Sequence, residues 1–203
     1  SDSTNPPPNI PVAVPVAVLA ASATSFSAVA GVPCPVRPRV RVVDQSGYGV
    51  ANVPVVFSVT AGGGSIIGAS VMTDTAGIAT VGGWTLGTTV GSNTLTATVA
   101  ALAGSSITFS ATGVTGAPAS ITVSAGSGQT AMAGSLLAVP PAAIVKDANA
   151  NPVAGVAVVF SVATGGGSIV GASQTTNANG IATAGGWTIG TTAGPNSVTG
   201  TVS

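Results

Sequence analysis

The sequence predicts an all-β protein of two tandem β-sandwiches, the second of which lacks its own last strand. Three observations support this fold class. The 203 residues include 29 Gly and 14 Pro but only 3% aromatic and 4% charged residues, a composition that suits short strands joined by turns. The chain also repeats itself once, at an offset of 103 residues. Finally, the second repeat stops where the first continues into another strand.

The internal repeat sets the predicted domain boundaries. Between Val53–Val99 and Val156–Val202, 31 of 47 aligned positions are identical without a gap. Upstream, Pro15 aligns with Pro118 at the same offset. A repeat of about 100 residues indicates one folding unit per copy. We therefore expect an N-terminal extension at 1–14, a first domain at 15–113, a linker at 114–117 and a second domain at 118–203.

Within each repeat, turn residues separate segments of alternating apolar and polar residues. In the first domain these segments are CPVRPRVRVVD, VPVVFSVTA, SIIGASVMT, GIATVGGWTLG, NTLTATVA and SSITFSATG, with DQSGYG, GGGS and TAG as connecting turns. In the first segment Cys34, Val36, Val40 and Val42 share one predicted face, and Arg37, Arg39 and Arg41 share the other. About seven strands in about 100 residues is what an immunoglobulin-like sandwich requires.

The residues 147–202 and their counterparts 44–99 resemble the bacterial immunoglobulin-like repeats, group 1, of intimin- and invasin-type surface proteins. The shared pattern is an Asp, a short turn, a Val-x-Phe strand, the Gly-Gly-Gly loop and Gly-Ile-Ala-Thr. In that family such repeats mostly space out or present other domains. The resemblance therefore implies a non-enzymatic structural role and an extracellular or cell-surface location.

The predicted missing strand is the main functional clue. In the first domain Ile107, Phe109 and Ala111 alternate toward one side of the last strand. The matching span of the second domain would follow Ser203, so we expect an unpaired edge there, which is a site for pairing with another chain. The residues expected to form this acceptor strand are Val198, Thr199, Thr201 and Val202.

The N-terminal extension offers a candidate donor strand. Ile10, Val12 and Val14 alternate as the residues of the missing strand do. Fourteen residues span at most ~50 Å, which favours donation to a neighbouring copy over folding back past the first domain. Head-to-tail donation of this kind never closes and produces a filament. Pro11 and Pro15 count against it, because proline cannot donate to a strand ladder.

Two other functions remain open at this stage. The chain could be a spacer fragment of a larger surface adhesin, with its last strand supplied by residues beyond Ser203. It could instead be a carbohydrate-binding module that uses Trp84, Trp187 or the row Arg37, Arg39 and Arg41. We expect the two tryptophans to be core residues and the arginine row to be a solvated face. Lateral contact between chains, or with an acidic surface glycan, is the alternative for the arginines.

The sequence offers no catalytic, metal or cofactor site, so we expect no enzyme. It contains no His and no Glu, whereas acid–base catalysis needs His or paired carboxylates. Asp44 and Asp147 occupy equivalent turns, where a hydrogen bond from the backbone to the carboxylate explains them. DANAN (147–151) only weakly matches the start of a calcium loop. Cys34 is expected to be a buried apolar residue rather than an intersubunit disulfide.

The charge and hydropathy of the chain give no indication of a nucleic-acid partner or of a membrane span. The net charge is zero, and three arginines are too few to indicate nucleic-acid binding. Mean hydropathy is +0.65, but prolines interrupt the longest apolar runs, which fall short of the ~20 residues of a spanning helix. The expected partner is a second copy of the chain.

Overall fold

The structure is a computed structural model that describes residues 13–203. The described residues form β-strands and turns, with no helix among them. The chain divides into two compact units, the first ending at Val114 and the second beginning at Thr115.

Ten strands form the described part of the first domain. They are β1 (Ala17–Ala20), β2 (Ser25–Val29), β3 (Arg39–Val43), β4 (Pro54–Ala61), β5 (Ser65–Ile67), β6 (Ser70–Met72), β7 (Ile78–Thr80), β8 (Gly83–Thr85), β9 (Gly91–Val99) and β10 (Ser106–Val114). The sheet orders are β1-β3-β7, β2-β10-β9-β4-β6 and β5-β8. The three-stranded and five-stranded sheets supply most of the buried residues of one core.

Strict alternation in β9 shows why these residues form strands. Leu95, Ala97 and Val99 are buried and the threonines between them are not. A period of two places all apolar side chains of one strand on the same face of the sheet. The buried core contains Val18, Val40, Val42, Val50, Val53, Val55, Phe57, Ala79, Val81, Trp84, Leu86, Leu95, Ala97, Val99, Phe109 and Ala111.

The last strand of this domain, β10, lies inside the five-stranded sheet, between β9 and β2. It pairs antiparallel with β9 and parallel with β2. Phe109 lies opposite Leu95 and Ala111 lies opposite Asn93. Both Phe109 and Ala111 are buried in the core, so β10 contributes side chains to the core as well as hydrogen bonds to the sheet.

Eight strands form the second domain. They are β11 (Ser120–Ala125), β12 (Ala142–Lys146), β13 (Ala157–Thr164), β14 (Gly167–Val170), β15 (Ser173–Thr175), β16 (Ile181–Thr183), β17 (Gly186–Ile189) and β18 (Ser197–Val202). The sheet orders are β11-β12-β16, β15-β13-β18 and β14-β17. Strand β18 corresponds to β9 and lies at the edge of its sheet. The predicted all-β class, with two tandem immunoglobulin-like sandwiches, is confirmed.

The second domain has a smaller core than the first. Its buried cluster consists of Ala143, Val145, Val153, Val158, Phe160, Ala182 and Ala184. Counterparts of other first-domain core residues, such as Val198 and Val202, are only partly buried or exposed. The core is smaller on the side of the sheet where the second domain has no counterpart of β10.

Several strands differ from the prediction. SIIGASVMT was expected to be continuous but is two strands in two sheets, β5 and β6, because Gly68 turns the chain between them with φ of +73°. GIATVGGWTLG is likewise divided into β7 and β8. Strand β3 begins at Arg39, after two prolines, so Cys34 and Val36 precede it. Strands β1 and β2, and β11 in the second domain, were not among the predicted segments.

Candidate strand-acceptor groove

A groove of about 550 Å³ opens along the free edge of β18 in the second domain. Val198 and Gly200 line one side, and the loop 126–131 lines the other. Phe160 and Trp187 lie among the apolar residues at its base. The groove therefore combines an unpaired strand edge with access to the apolar interior.

The first domain shows what fills the equivalent space. Applying the repeat offset, Val198 corresponds to Leu95 and Val202 to Val99. Val99 is 2% exposed beside β10, whereas Val202 is 43% exposed. The two residues are identical and lie in equivalent strands, so the difference comes from the chain around them: Val99 is followed by a turn whose Leu102 packs on the first core, and then by β10.

The far wall of the groove is the counterpart of β2. In the first domain β2 pairs with β10, and Phe26 packs edge-to-face on Trp84 with ring centroids 5.9 Å apart. The counterpart of Phe26 is Gln129. Its Nε2 donates instead to the carbonyl oxygens of Gly126 (3.0 Å) and Val139 (2.7 Å). Within the described residues no backbone–backbone hydrogen bond reaches 127–131. The sequence did not indicate this wall, because β2, the strand to which it corresponds, was not predicted.

The predicted acceptor residues all lie in β18. Val198 faces the core and lines the groove. Thr199 and Thr201 lie on the outer face, where the Thr199 hydroxyl is 3.0 Å from that of Ser161. The predicted donor residues Ile10 and Val12 lie outside the described residues, whereas Val14 is described and is 64% exposed.

An asparagine at the start of β18 fixes one end of the groove. Asn196 Oδ1 accepts the Gly190 N–H at 3.0 Å, and its Nδ2 donates to Gly194 O at 3.0 Å. Asn93 makes the same two contacts, with Gly87 and Gly91, in the first domain. The amide is thus held in place whether or not the neighbouring strand is present.

The two aspartate turns have the geometry that the sequence predicts. Asp44 Oδ1 accepts two backbone N–H groups of its own turn. Asp147 Oδ1 accepts those of Asn149 and Asn151 at 2.9 Å each, and Oδ2 accepts the Gly116 N–H at 3.0 Å. Burial by itself raises the pKa of Asp147, but these hydrogen bonds and the Asn151 amide outweigh burial and lower that pKa below its ordinary value. The Asp147 carboxylate therefore connects its own turn by a hydrogen bond to Gly116, at the start of the second domain.

The tryptophans and the cysteine are interior groups. Trp84 is 1% and Trp187 7% exposed, which confirms the prediction that both are core residues. Their Nε1 atoms are buried without a hydrogen-bond partner; because this holds in both domains, it does not indicate a ligand. Cys34 is half-buried against the first core, and burial raises the pKa of its thiol to about 11. A thiol with that pKa stays protonated and unreactive near neutral pH.

The predicted arginine row is partly engaged within the first domain. Arg39 Nε donates to Ala21 O at 2.7 Å, and Arg41 Nε donates to Ala76 O at 3.2 Å. Arg37 precedes β3 and is exposed. Lateral contact through Arg37, Arg39 and Arg41 stays a prediction.

The described part of the chain shows neither a metal-binding cluster nor a membrane-spanning helix. Residues 13–203 contain no group of three or more His, Cys, Asp or Glu side chains placed to hold a metal ion. No helix in that range is long and apolar enough to cross a bilayer.

Comparison with known proteins gives structural neighbours only. No protein-family model and no curated protein matches the chain. The D0–D1 domains of intimin match with 24% identity over 92% of this chain and 90% of that one, at a TM-score of 0.36. Invasin, a bacterial integrin-binding protein, matches with 22% identity, 92% and 36% coverage and a TM-score of 0.45. The Escherichia coli adhesin FdeC matches with 20% identity, 91% and 58% coverage and a TM-score of 0.51.

These likenesses concern the fold. The chain spans 36% of the invasin chain and 58% of the FdeC chain. The chain has the fold of tandem bacterial immunoglobulin-like domains. The predicted resemblance to intimin- and invasin-type repeats is confirmed at that level.

Proposed function

We propose that this chain is a non-enzymatic, extracellular structural subunit whose second domain accepts a β-strand from another copy. The observation that supports the proposal is the open groove beside β18, at the position that β10 fills in the first domain. An unpaired edge above an apolar groove is the arrangement that strand addition uses. The main-chain groups of the edge supply affinity, and the apolar base of the groove supplies selectivity.

The proposed donor is the N-terminal segment of the next copy, with Ile10, Val12 and Val14 facing the groove. This segment precedes β1 as β10 precedes the second domain, but by a shorter connection: Val14 lies immediately before Pro15, whereas Ala111 lies seven residues before Pro118. Burying three such side chains contributes roughly 1.5–3 kcal/mol each. Association entropy opposes this by about 4–15 kcal/mol. Affinity therefore depends on the fit of the strand and not only on the area that it buries.

A surface location fits the same proposal. FdeC, which shares the fold, is an adhesin, and the chain carries only 4% charged residues. Serine, threonine and asparagine side chains make the outer faces of its strands polar. The proposed role is that of a spacer or filament module. Such a module displays other domains and catalyses no reaction.

A second candidate is a spacer within a longer adhesin polypeptide. The coverage of invasin and FdeC favours it, because those chains extend well beyond the matched part. In that case residues of the same polypeptide fill the groove and no filament forms. The two candidates differ in whether the strand comes from another copy.

Light scattering and electron microscopy of residues 1–203 test the proposal directly. We expect filaments from the intact chain and none from the chain lacking 1–14. Val12→Asp places a charge on the proposed inward face and should abolish filaments. Ala13→Asp, on the alternate face, is the matched control and should keep them. An intact chain that remains monomeric at tens of micromolar would reject strand donation between copies.

A further inference from the structure

We propose that the groove selects its strand by side-chain size at fixed positions. The strand would run antiparallel to β18 with a large apolar side chain opposite Val198. A small side chain would lie opposite Asn196, and glycine opposite Gly194. This inference rests on the proposed function, in which the strand comes from the N-terminal segment of another copy.

The large position follows from the first domain. Phe109 lies opposite Leu95, is 0% exposed and belongs to the same cluster as Phe57 and Trp84. The groove of the second domain keeps the counterparts of all three partners, Val198, Phe160 and Trp187, along its lining. Val198 is smaller than Leu95, which leaves additional room for a ring at this position.

The two positions that accept only small side chains follow from the surroundings of Asn93 in the first domain. Ala111 lies opposite Asn93, and Gly113 opposite Gly91. A Cβ atom at Gly113 would lie 3.3 Å from Asn93 Nδ2, closer than side chains normally pack. Asn196 is held by the same pair of hydrogen bonds as Asn93. A bulky side chain would therefore meet an amide that cannot move away without losing both bonds.

The far wall fixes the direction of the strand. Strand β10 runs parallel to β2 and antiparallel to β9. The loop 127–131, which occupies the place of β2, has backbone groups available for the same parallel pairing. A strand entering in the opposite direction would lose this match and would exchange the large and small positions.

The size rule predicts the register of the N-terminal segment. With Val12 opposite Val198, Ile10 lies opposite Gly200 and Val14 opposite Asn196. A shift by two residues would place Val14 opposite Gly194, which the glycine position disfavours. Valine underfills a position that holds phenylalanine in the first domain. Val12→Phe should thus lower the concentration needed for assembly by about tenfold or more, whereas Val14→Phe should raise it.

A peptide experiment tests the rule independently of the donor. Full-length protein carrying Val12→Asp is titrated with a fluorescent peptide of residues 106–114, and anisotropy is recorded. We expect binding that weakens about tenfold or more for the peptide with Phe109→Ala. A similar loss is expected for the peptide with Ala111→Phe, while Thr108→Ala, on the outer face, should bind as the parent does. Equal binding of all four peptides, or no binding of the parent, would overturn the inference.

A disulfide reports the register. In the first domain Thr108 lies opposite Thr96, whose counterpart is Thr199. In protein with Cys34→Ser and Thr199→Cys, a peptide with Thr108→Cys should crosslink rapidly, because directly opposite residues approach the distance of a disulfide. A peptide with Ser110→Cys should crosslink slowly, and the reverse order would overturn the proposed register. Peptide binding without filaments would reject only the N-terminal donor, whereas filaments without size selectivity would reject only this inference.

Discussion

At the scale of single residues, the two repeats use different residues for the same strained backbone. Ala150 has φ of +65°, and its counterpart Gly47 has φ of +81°. A left-handed conformation costs a non-glycine residue about 1–2 kcal/mol. Glycine itself loses roughly 0.5–1 kcal/mol in conformational entropy on folding. The net free-energy difference between alanine and glycine at this position is therefore small and favours glycine.

We therefore expect Ala150→Gly to raise the free energy of unfolding of the second domain by about 0.5–1 kcal/mol. Gly47→Ala should lower that of the first domain by a similar amount; its added Cβ would have no neighbour within 4 Å, so strain is the only cost. Urea unfolding followed by tryptophan fluorescence measures both changes. A loss of stability in Ala150→Gly would show that the left-handed geometry carries no strain.

Asp147 gives the second domain a dependence on pH. Its pKa is lowered in the folded state, so the stability it contributes is fully present above its unfolded pKa, about 3.9. That contribution is lost as the pH falls through the folded pKa. We expect Asp147→Asn to reduce stability at pH 7, because Oδ2 no longer accepts the Gly116 N–H. Thermal unfolding between pH 7 and pH 2 should then show a flatter acid dependence for the variant; an unchanged profile would contradict this role.

At the scale of elements, β9 and β18 carry nearly the same sequence in different surroundings. Val99 is 2% exposed and Val202 is 43% exposed. We expect Val99→Ala to cost roughly 2 kcal/mol of unfolding free energy and Val202→Ala less than about 0.5 kcal/mol. Single-tryptophan variants, Trp187→Phe to report the first domain and Trp84→Phe the second, allow the pair to be measured by urea unfolding. Equal costs would mean that β18 is not open as described.

The alternation of residues made the long strands predictable, and the short ones much less so. Strands β4, β9 and β10 follow from alternation because each is long and buries one face. Strands β5 and β6 could not be separated, since periodicity does not reveal which sheet a strand joins. Strand β2 was missed because its strand partner among the described residues, β10, lies far away in sequence, with Ser110 opposite Ser25. Pairing across such a distance has no local signal.

At the scale of the whole molecule, the repeat predicted one side of the groove and not the other. The unpaired edge at Val198 and Val202 followed from aligning the chain with itself. The loop 126–131, the Gln129 hydrogen bonds and the base formed by Phe160 and Trp187 required the three-dimensional arrangement. A site between two segments distant in sequence cannot be found by examining one of them.

The same comparison of domains provides the most demanding prediction. A copy of Ala100–Val114, fused directly after Val202, supplies the second domain with the turn and strand that follow Val99 in the first. We expect this covalently attached strand to fill the groove, raise the unfolding midpoint of the second domain and abolish filaments. The matched control carries Asp in place of the copied Phe109, because a charge cannot enter the apolar position without a large cost. Urea unfolding reported by Trp187 should separate the two fusions. If they unfold at the same urea concentration as residues 1–203, the groove is not a site for this strand.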